Sequence, residues 1–67
     1  MKTEIGKNIK FRRKALKITQ TELSDLAGIS INTLYKIERG QANPTLNILE
    51  KIAVILGMEV RVSVNVN

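Results

Sequence analysis

Residues 20–40 read QTELSDLAGISINTLYKIERG, and this stretch decides the fold. Thr19 stands just before it as a helix N-cap. Glu22 follows three residues later, completing a capping box. The pattern predicts a helix over 20–27 with Leu23, Leu26 and Ala27 turned inward. Gly28 supplies the left-handed residue that ends such a helix, and Ile29 plugs the turn. Ser30 caps a second helix over 31–39, whose inward residues are Leu34 and Ile37, and Gly40 closes it. Two short helices crossing steeply need a turn of three or four residues containing glycine. They also need a small residue at the crossing, and Ser24 provides it. Ile31, Asn32, Thr33, Tyr35 and Lys36 are left on the outer side of the second helix.

The flanks supply the rest of a core. Upstream, Ile5, Ile9 and Leu16 recur with a helical period, widened by Phe11 and Ala15, and predict a helix over 4–16. Gly6 weakens its first turn by about 1 kcal/mol relative to alanine, so that turn is expected to fray. Downstream, Gln41-Ala42-Asn43-Pro44 is a loop, with proline keeping Asn43 out of the helical region. A fourth helix follows over 45–56, with Thr45 as its cap or first residue. Leu46, Leu49, Ile52, Ala53 and Leu56 form its buried face. Ile48, Val54 and Ile55 extend the apolar surface around it, the pattern of a helix with a second surface to cover. Gly57 stops it. From Met58 the period changes to two: Met58, Val60, Val62, Val64 and Val66 alternate with polar residues, predicting one strand over 58–66. A lone strand lacks a ladder partner, so its partner is expected to be the same strand of a second copy. The fold class is therefore all-α. A four-helix domain over 1–57 carries a dimerisation strand over 58–67.

Composition narrows what such a domain can do. At 67 residues the chain is near the lower size for an independent core. It contains no cysteine and no histidine. Thiolate sites and the commonest general base are therefore absent, and no cofactor or metal is expected. The net charge is +5 and the pI about 10. Lys2, Lys7, Lys10, Arg12, Arg13, Lys14 and Lys17 crowd the first 17 residues against Glu4 alone. Such a balance favours a polyanion, nucleic acid before an anionic membrane; a solvated Lys-rich helix face is the plain alternative. The longest apolar run, Ile52–Leu56, is far short of the ~20 residues of a membrane span, and no signal-peptide pattern opens the chain. A cytoplasmic protein is expected, associated with the nucleoid if the cell is bacterial.

The run ITQTELSDLAGISINTLYKIERGQANPTLNILEKIAVILGM resembles the phage Cro/repressor family of helix-turn-helix domains, the XRE family. The resemblance covers about residues 5–57. Its marks are TQ-x-E-L, the L-A-G turn, the I-E-R-G close and the P-T-L start of the next helix. Ser24 departs from the usual alanine but is still small. The resemblance implies a third helix in the DNA major groove and a second helix across the backbone. Ile31, Asn32 and Lys36 match base-facing positions, suited to a thymine methyl, adenine and guanine respectively. Thr19 and Gln20 match phosphate-contacting positions at a helix N-terminus; capping is their plain alternative. Thr33 and Tyr35 carry hydroxyls within reach of phosphate. Arg39, Gln41, Asn43 and Thr45 lie where the family grips further phosphates. Arg13 and Glu38 match an ion pair that orients the third helix and turns an arginine edge to phosphate. Read as an exposed pair it is worth ~0–1 kcal/mol.

The implied activity is sequence-specific binding of double-stranded DNA by a transcriptional repressor, as a homodimer on a palindromic operator. The ending L-G-M-E-V-R-V-S-V is similar to HipB-type antitoxins, which implies a toxin kinase partner and autoregulation. A protein-interaction module without DNA binding is the alternative of another class. An enzyme is not expected: Glu22 and Glu38 have capping and ion-pair roles, and so short a chain has little room for a substrate pocket.

Overall fold

The computed structural model describes residues 2–61. Four helices follow in order: α1 Lys2–Ala15, α2 Gln20–Ala27, α3 Ile31–Glu38 and α4 Leu46–Leu56. Their starts are set by side chains that satisfy orphan N–H groups. Thr19 Oγ1 accepts from the N–H of Glu22 at 3.0 Å, and Glu22 Oε1 accepts from the N–H of Thr19 at 2.8 Å. Ser30 and Thr45 cap α3 and α4 in the same way, accepting from Thr33 and Ile48. Gly28 ends α2 at φ 69°, a conformation that costs glycine nothing and other residues about 1 kcal/mol or more.

Packing joins α1 to α3 and α4, and α2 to α3 and α4. Leu23, Leu34, Ile37, Ile52 and Leu56 are the largest fully buried side chains, joined in the core by Ile9 and Ala27. Each of these leucines and isoleucines contributes about 1.5–3 kcal/mol by leaving water. Ser24 is buried at the α2 crossing, and its hydroxyl donates to the Thr21 carbonyl at 3.0 Å. The small residue thus carries its own hydrogen-bond partner into the core.

Several expected positions differ. α1 starts earlier than predicted, and Gly6 is buried within it. It ends at Ala15, where Lys17 takes φ 59° and turns the chain. Phe11, expected on the apolar stripe, is 77% exposed, and Ala15 and Leu16 are exposed as well. Leu26 of α2 is 66% exposed and Leu46 of α4 also lies open. The reason is geometric. In helices this short the neighbours cover a narrower arc than the apolar stripe, so the residues at its margin stay wet. Of the surplus on α4, Ile48 and Ile55 are taken up against the core, and Val54 alone is fully open at 78%.

Among the described residues there is no strand. Met58 packs against the core and its N–H donates to the Ala53 carbonyl at 2.9 Å. Glu59–Arg61 carry no regular secondary structure. A strand is defined by its ladder, and no segment among the described residues offers one. Met58, Glu59, Val60 and Arg61 all line a groove with Ile5, Ile9, Leu49 and Ile52, and Glu59 and Arg61 pair at 3.0 Å on its exposed side. The remainder of the expected strand, including Val62, Val64 and Val66, lies outside the described residues.

Candidate nucleic-acid interface

The site is built on α3. Leu34, Ile37 and Glu38 bury one side of this helix. Ile31, Asn32, Tyr35 and Lys36 are exposed on the other. Ile31 and Tyr35, like Asn32 and Lys36, are four residues apart and therefore neighbours on one helical face. Ile31 is 47% exposed, an apolar group held at the surface beside an amide and an ammonium. The mixture is suited to a base edge, which offers methyl groups, donors and acceptors. Arg39 extends this face: its guanidinium carbon lies 5.3 Å from the Tyr35 ring centroid, a cation–π contact.

The C-terminal end of α3 is tied to α1 and α2. Arg13 of α1 forms a two-pronged pair with Glu38: Nε donates to Oε2 at 2.7 Å and Nη2 to Oε1 at 2.9 Å. Nη1 donates to the Ile18 carbonyl at 2.9 Å. The pair is buried, not exposed as the sequence reading supposed: Arg13 is 7% and Glu38 5% accessible. The side-chain hydrogen bond to Glu38 raises the Arg13 pKa, with burial opposing, so the guanidinium stays charged. With all three nitrogens engaged inside the protein, Arg13 has little left to offer a phosphate.

Gln20 is likewise turned inward. Its Nε2 donates to Glu38 Oε1 at 3.0 Å, joining the first residue of α2 to the last of α3. The other expected backbone contacts divide into two groups. Thr19 and Thr45 hold their hydroxyls on helix N–H groups, and Thr33 accepts from Ser30 Oγ at 2.8 Å. Gln41 and Asn43 are exposed in the loop before α4. The capping-box hydrogen bonds, from the Thr19 backbone first, lower the Glu22 pKa. A carboxylate therefore already occupies the N-terminal end of α2.

One contact had no sequence signal. Arg12 Nε donates to the Leu56 carbonyl at 2.8 Å, capping the C-terminus of α4 from 44 residues away. Adjacent arginines of α1 thus fasten different helices, Arg13 to α3 and Arg12 to α4.

A helix-turn-helix family model matches residues 9–62, most of the chain. The chain belongs to the XRE-type helix-turn-helix family. It is 43% identical over 56 residues to the immunity repressor protein of Bacillus phage phi105, covering 84% of this chain and 39% of that one. To the HTH-type transcriptional regulator SinR of Bacillus subtilis it is 39% identical over 57 residues, covering 84% and 51%. An uncharacterised HTH-type transcriptional regulator of Methanothermobacter thermautotrophicus is 37% identical over 51 residues, covering 76% and 74%. Among solved structures, the restriction-modification controller protein C.AhdI of Aeromonas hydrophila superposes with a TM-score of 0.81 at 30% identity, covering 85% and 86% of the two chains. The chain spans about half or less of the length of the phage repressor and SinR. The family is one of regulators, not enzymes. Among the described residues no helix is long and apolar enough to cross a membrane.

Proposed function

We propose that this protein is a sequence-specific transcriptional repressor that lays α3 in the major groove of double-stranded DNA. The observation that carries the reading is the outer face of α3. Ile31, Asn32 and Lys36 stand together in solvent on a helix whose opposite side is locked into the core. Asn32 pairs with adenine, Lys36 with guanine O6/N7, and Ile31 meets a thymine methyl. In this reading the hydroxyls, amides, guanidinium and backbone N–H groups of Thr19, Thr33, Tyr35, Arg39, Gln41, Asn43 and Thr45 serve the phosphates. Arg13, Glu38 and Gln20 set the angle of the helix; with its side chain on Glu38, Gln20 offers a phosphate its backbone N–H.

The working unit in this reading is a homodimer on a palindrome with half-sites about one helical turn, ~34 Å, apart. The apolar alternation of Met58–Val66 supports pairing between two copies, with the segment from Glu59 onward as the dimerisation element. A second reading draws on the same ending, which also suits a HipB-type antitoxin with a toxin kinase as partner; an adjoining kinase-like gene would favour it. Selection of bound duplexes from a random pool tests the main reading. Enrichment of a two-fold symmetric sequence is expected, and a pool that stays random after several rounds would sink it.

A further inference from the structure

Gly6 lies where the backbone of α1 presses on the end of α3. A Cβ built on it would run into the Ile37 carbonyl oxygen and stand 2.9 Å from that of Glu38. Both neighbours are backbone atoms in the last turn of a helix, which cannot rotate away as a side chain can. Any residue but glycine at position 6 therefore pushes α1 and the end of α3 apart. Position 6 also shares a face of α1 with Arg13, two turns later. That same face thus touches the last turn of α3 twice, through backbone at Gly6 and through a guanidinium at Arg13. The far end of this helix carries Ile31 and Asn32.

We infer that Gly6 is a positioning residue for DNA readout: it sets how closely the C-terminal turn of α3 seats on α1, and so where Ile31, Asn32 and Lys36 point. This inference rests on the reading of α3 as the base-contacting helix. Gly6 touches no DNA in it. An alanine here gains helix propensity, so at an open helical site the change would stabilise the protein. Here the methyl has no room, and the strain falls on the element that must be aimed. The carbonyl it meets is also the acceptor for the Gly40 N–H at 3.1 Å, which closes the end of α3.

The test compares Gly6→Ala with Ile52→Val, a core change on α4, which packs on α1 and α2. Each protein binds a duplex selected by the parent from a random pool and a scrambled duplex of equal length, at a temperature where its far-UV circular dichroism matches the parent's. Gly6→Ala is expected to lose at least tenfold in affinity for the selected duplex and less than threefold for the scrambled one. Ile52→Val should keep the parental ratio. In the amide exchange of free Gly6→Ala, the Gly40 N–H should lose protection before the core of α2 does. An unchanged ratio, or equal loss on both duplexes, overturns the inference while leaving the DNA-reading proposal intact. A parent that selects no sequence overturns the proposal itself, and this inference with it. If Gly6→Ala is unfolded alone, the comparison is repeated in an Asn8→Ala background, which adds helix propensity at an exposed site of α1. Failure to fold there too counts against the inference, because Gly6 would then serve folding and not aim.

Discussion

Gln20 and Arg13 converge on one oxygen. Gln20 Nε2 and Arg13 Nη2 both donate to Glu38 Oε1, at 3.0 and 2.9 Å. The first turn of α2 and the last turns of α1 are thus tied to the end of α3 through one carboxylate. A helix-turn-helix needs its two helices at a fixed crossing, and here the turn at Gly28 fixes one end while Glu38 fixes the other.

Gln20→Ala removes a hydrogen bond to a charged group at a half-buried site and should lower unfolding stability by about 1–2 kcal/mol. Gln20→Glu should cost more, because it sets a second carboxylate against Glu38. Urea unfolding at neutral pH ranks the two. If both match the parent, the bridge does not hold in solution.

Arg13→Ala leaves the Glu38 carboxylate buried without its partner, and such breaks cost about 3–5 kcal/mol. In a domain whose whole stability is of order 5 kcal/mol, that is enough to unfold much of the population at 25 °C. Replacing both partners, as Arg13→Met with Glu38→Leu, should recover a large part of the loss. A double variant no more stable than Arg13→Ala would show that the pair itself, and not the orphaned charge, carries the effect. Arg13→Lys keeps the charge but loses the two-pronged geometry, and should fall between parent and alanine.

Acid should weaken the protein partly through Glu22. Its folded pKa lies below the ordinary carboxylate range because the capping box stabilises the charged form, the Thr19 backbone bond first. The stabilisation is fully present above the unfolded-state pKa of about 4.3 and is lost as pH falls through the lower folded value. Thermal melts from pH 6 down to pH 3 should show a declining midpoint. Glu22→Gln keeps an acceptor at the same position without a titrating group, and should flatten part of that decline. An identical slope in the variant would remove Glu22 from the acid limb.

Much of the fold was legible in the sequence because its signals are local. Thr19, Ser30 and Thr45 are followed by helices whose N–H groups they accept, and Gly28 and Gly57 end helices where a left-handed residue is required. Leu23, Leu34, Ile37, Ile52 and Leu56 fell inward by period alone. What escaped depends on residues distant in the chain. Nothing near Arg12 announces a carbonyl 44 residues away. Gly6 reads as a weak helix residue until the α3 backbone is seen against it. Phe11 and Leu26 sit at the edges of apolar stripes, where only the neighbouring helix decides between core and water. On α3 the exposed face is visible from the period, while the inward turn of Gln20 is not, since an amide at a helix N-terminus serves a phosphate or a carboxylate equally well.

Lys36→Ala should relax base preference more than it weakens binding to random duplex, because a base-edge contact discriminates by about 1–3 kcal/mol while a phosphate contact does not. Competition of selected against scrambled duplex at fixed salt reads the difference. Equal loss on both would reassign Lys36 to the backbone. In the same assay the parent's affinity should fall steeply as salt rises from 50 to 200 mM, by counterion release.

The C-terminal segment has to be cut with Met58 in mind. Met58 packs on the core and its N–H satisfies the Ala53 carbonyl, so removing it damages the domain as well as any dimer contact. Cutting after Arg61 spares both, and still takes Val62, Val64 and Val66. If these valines pair between copies, the shortened chain should keep the parental circular dichroism and become monomeric by light scattering. Its affinity for a full palindrome should then drop towards that for a single half-site, since two linked half-sites bind far more tightly than either alone. A shortened chain that remains dimeric would place the dimer contact elsewhere, and the exposed apolar residues Phe11, Leu26 and Val54 would become the surfaces to mutate next.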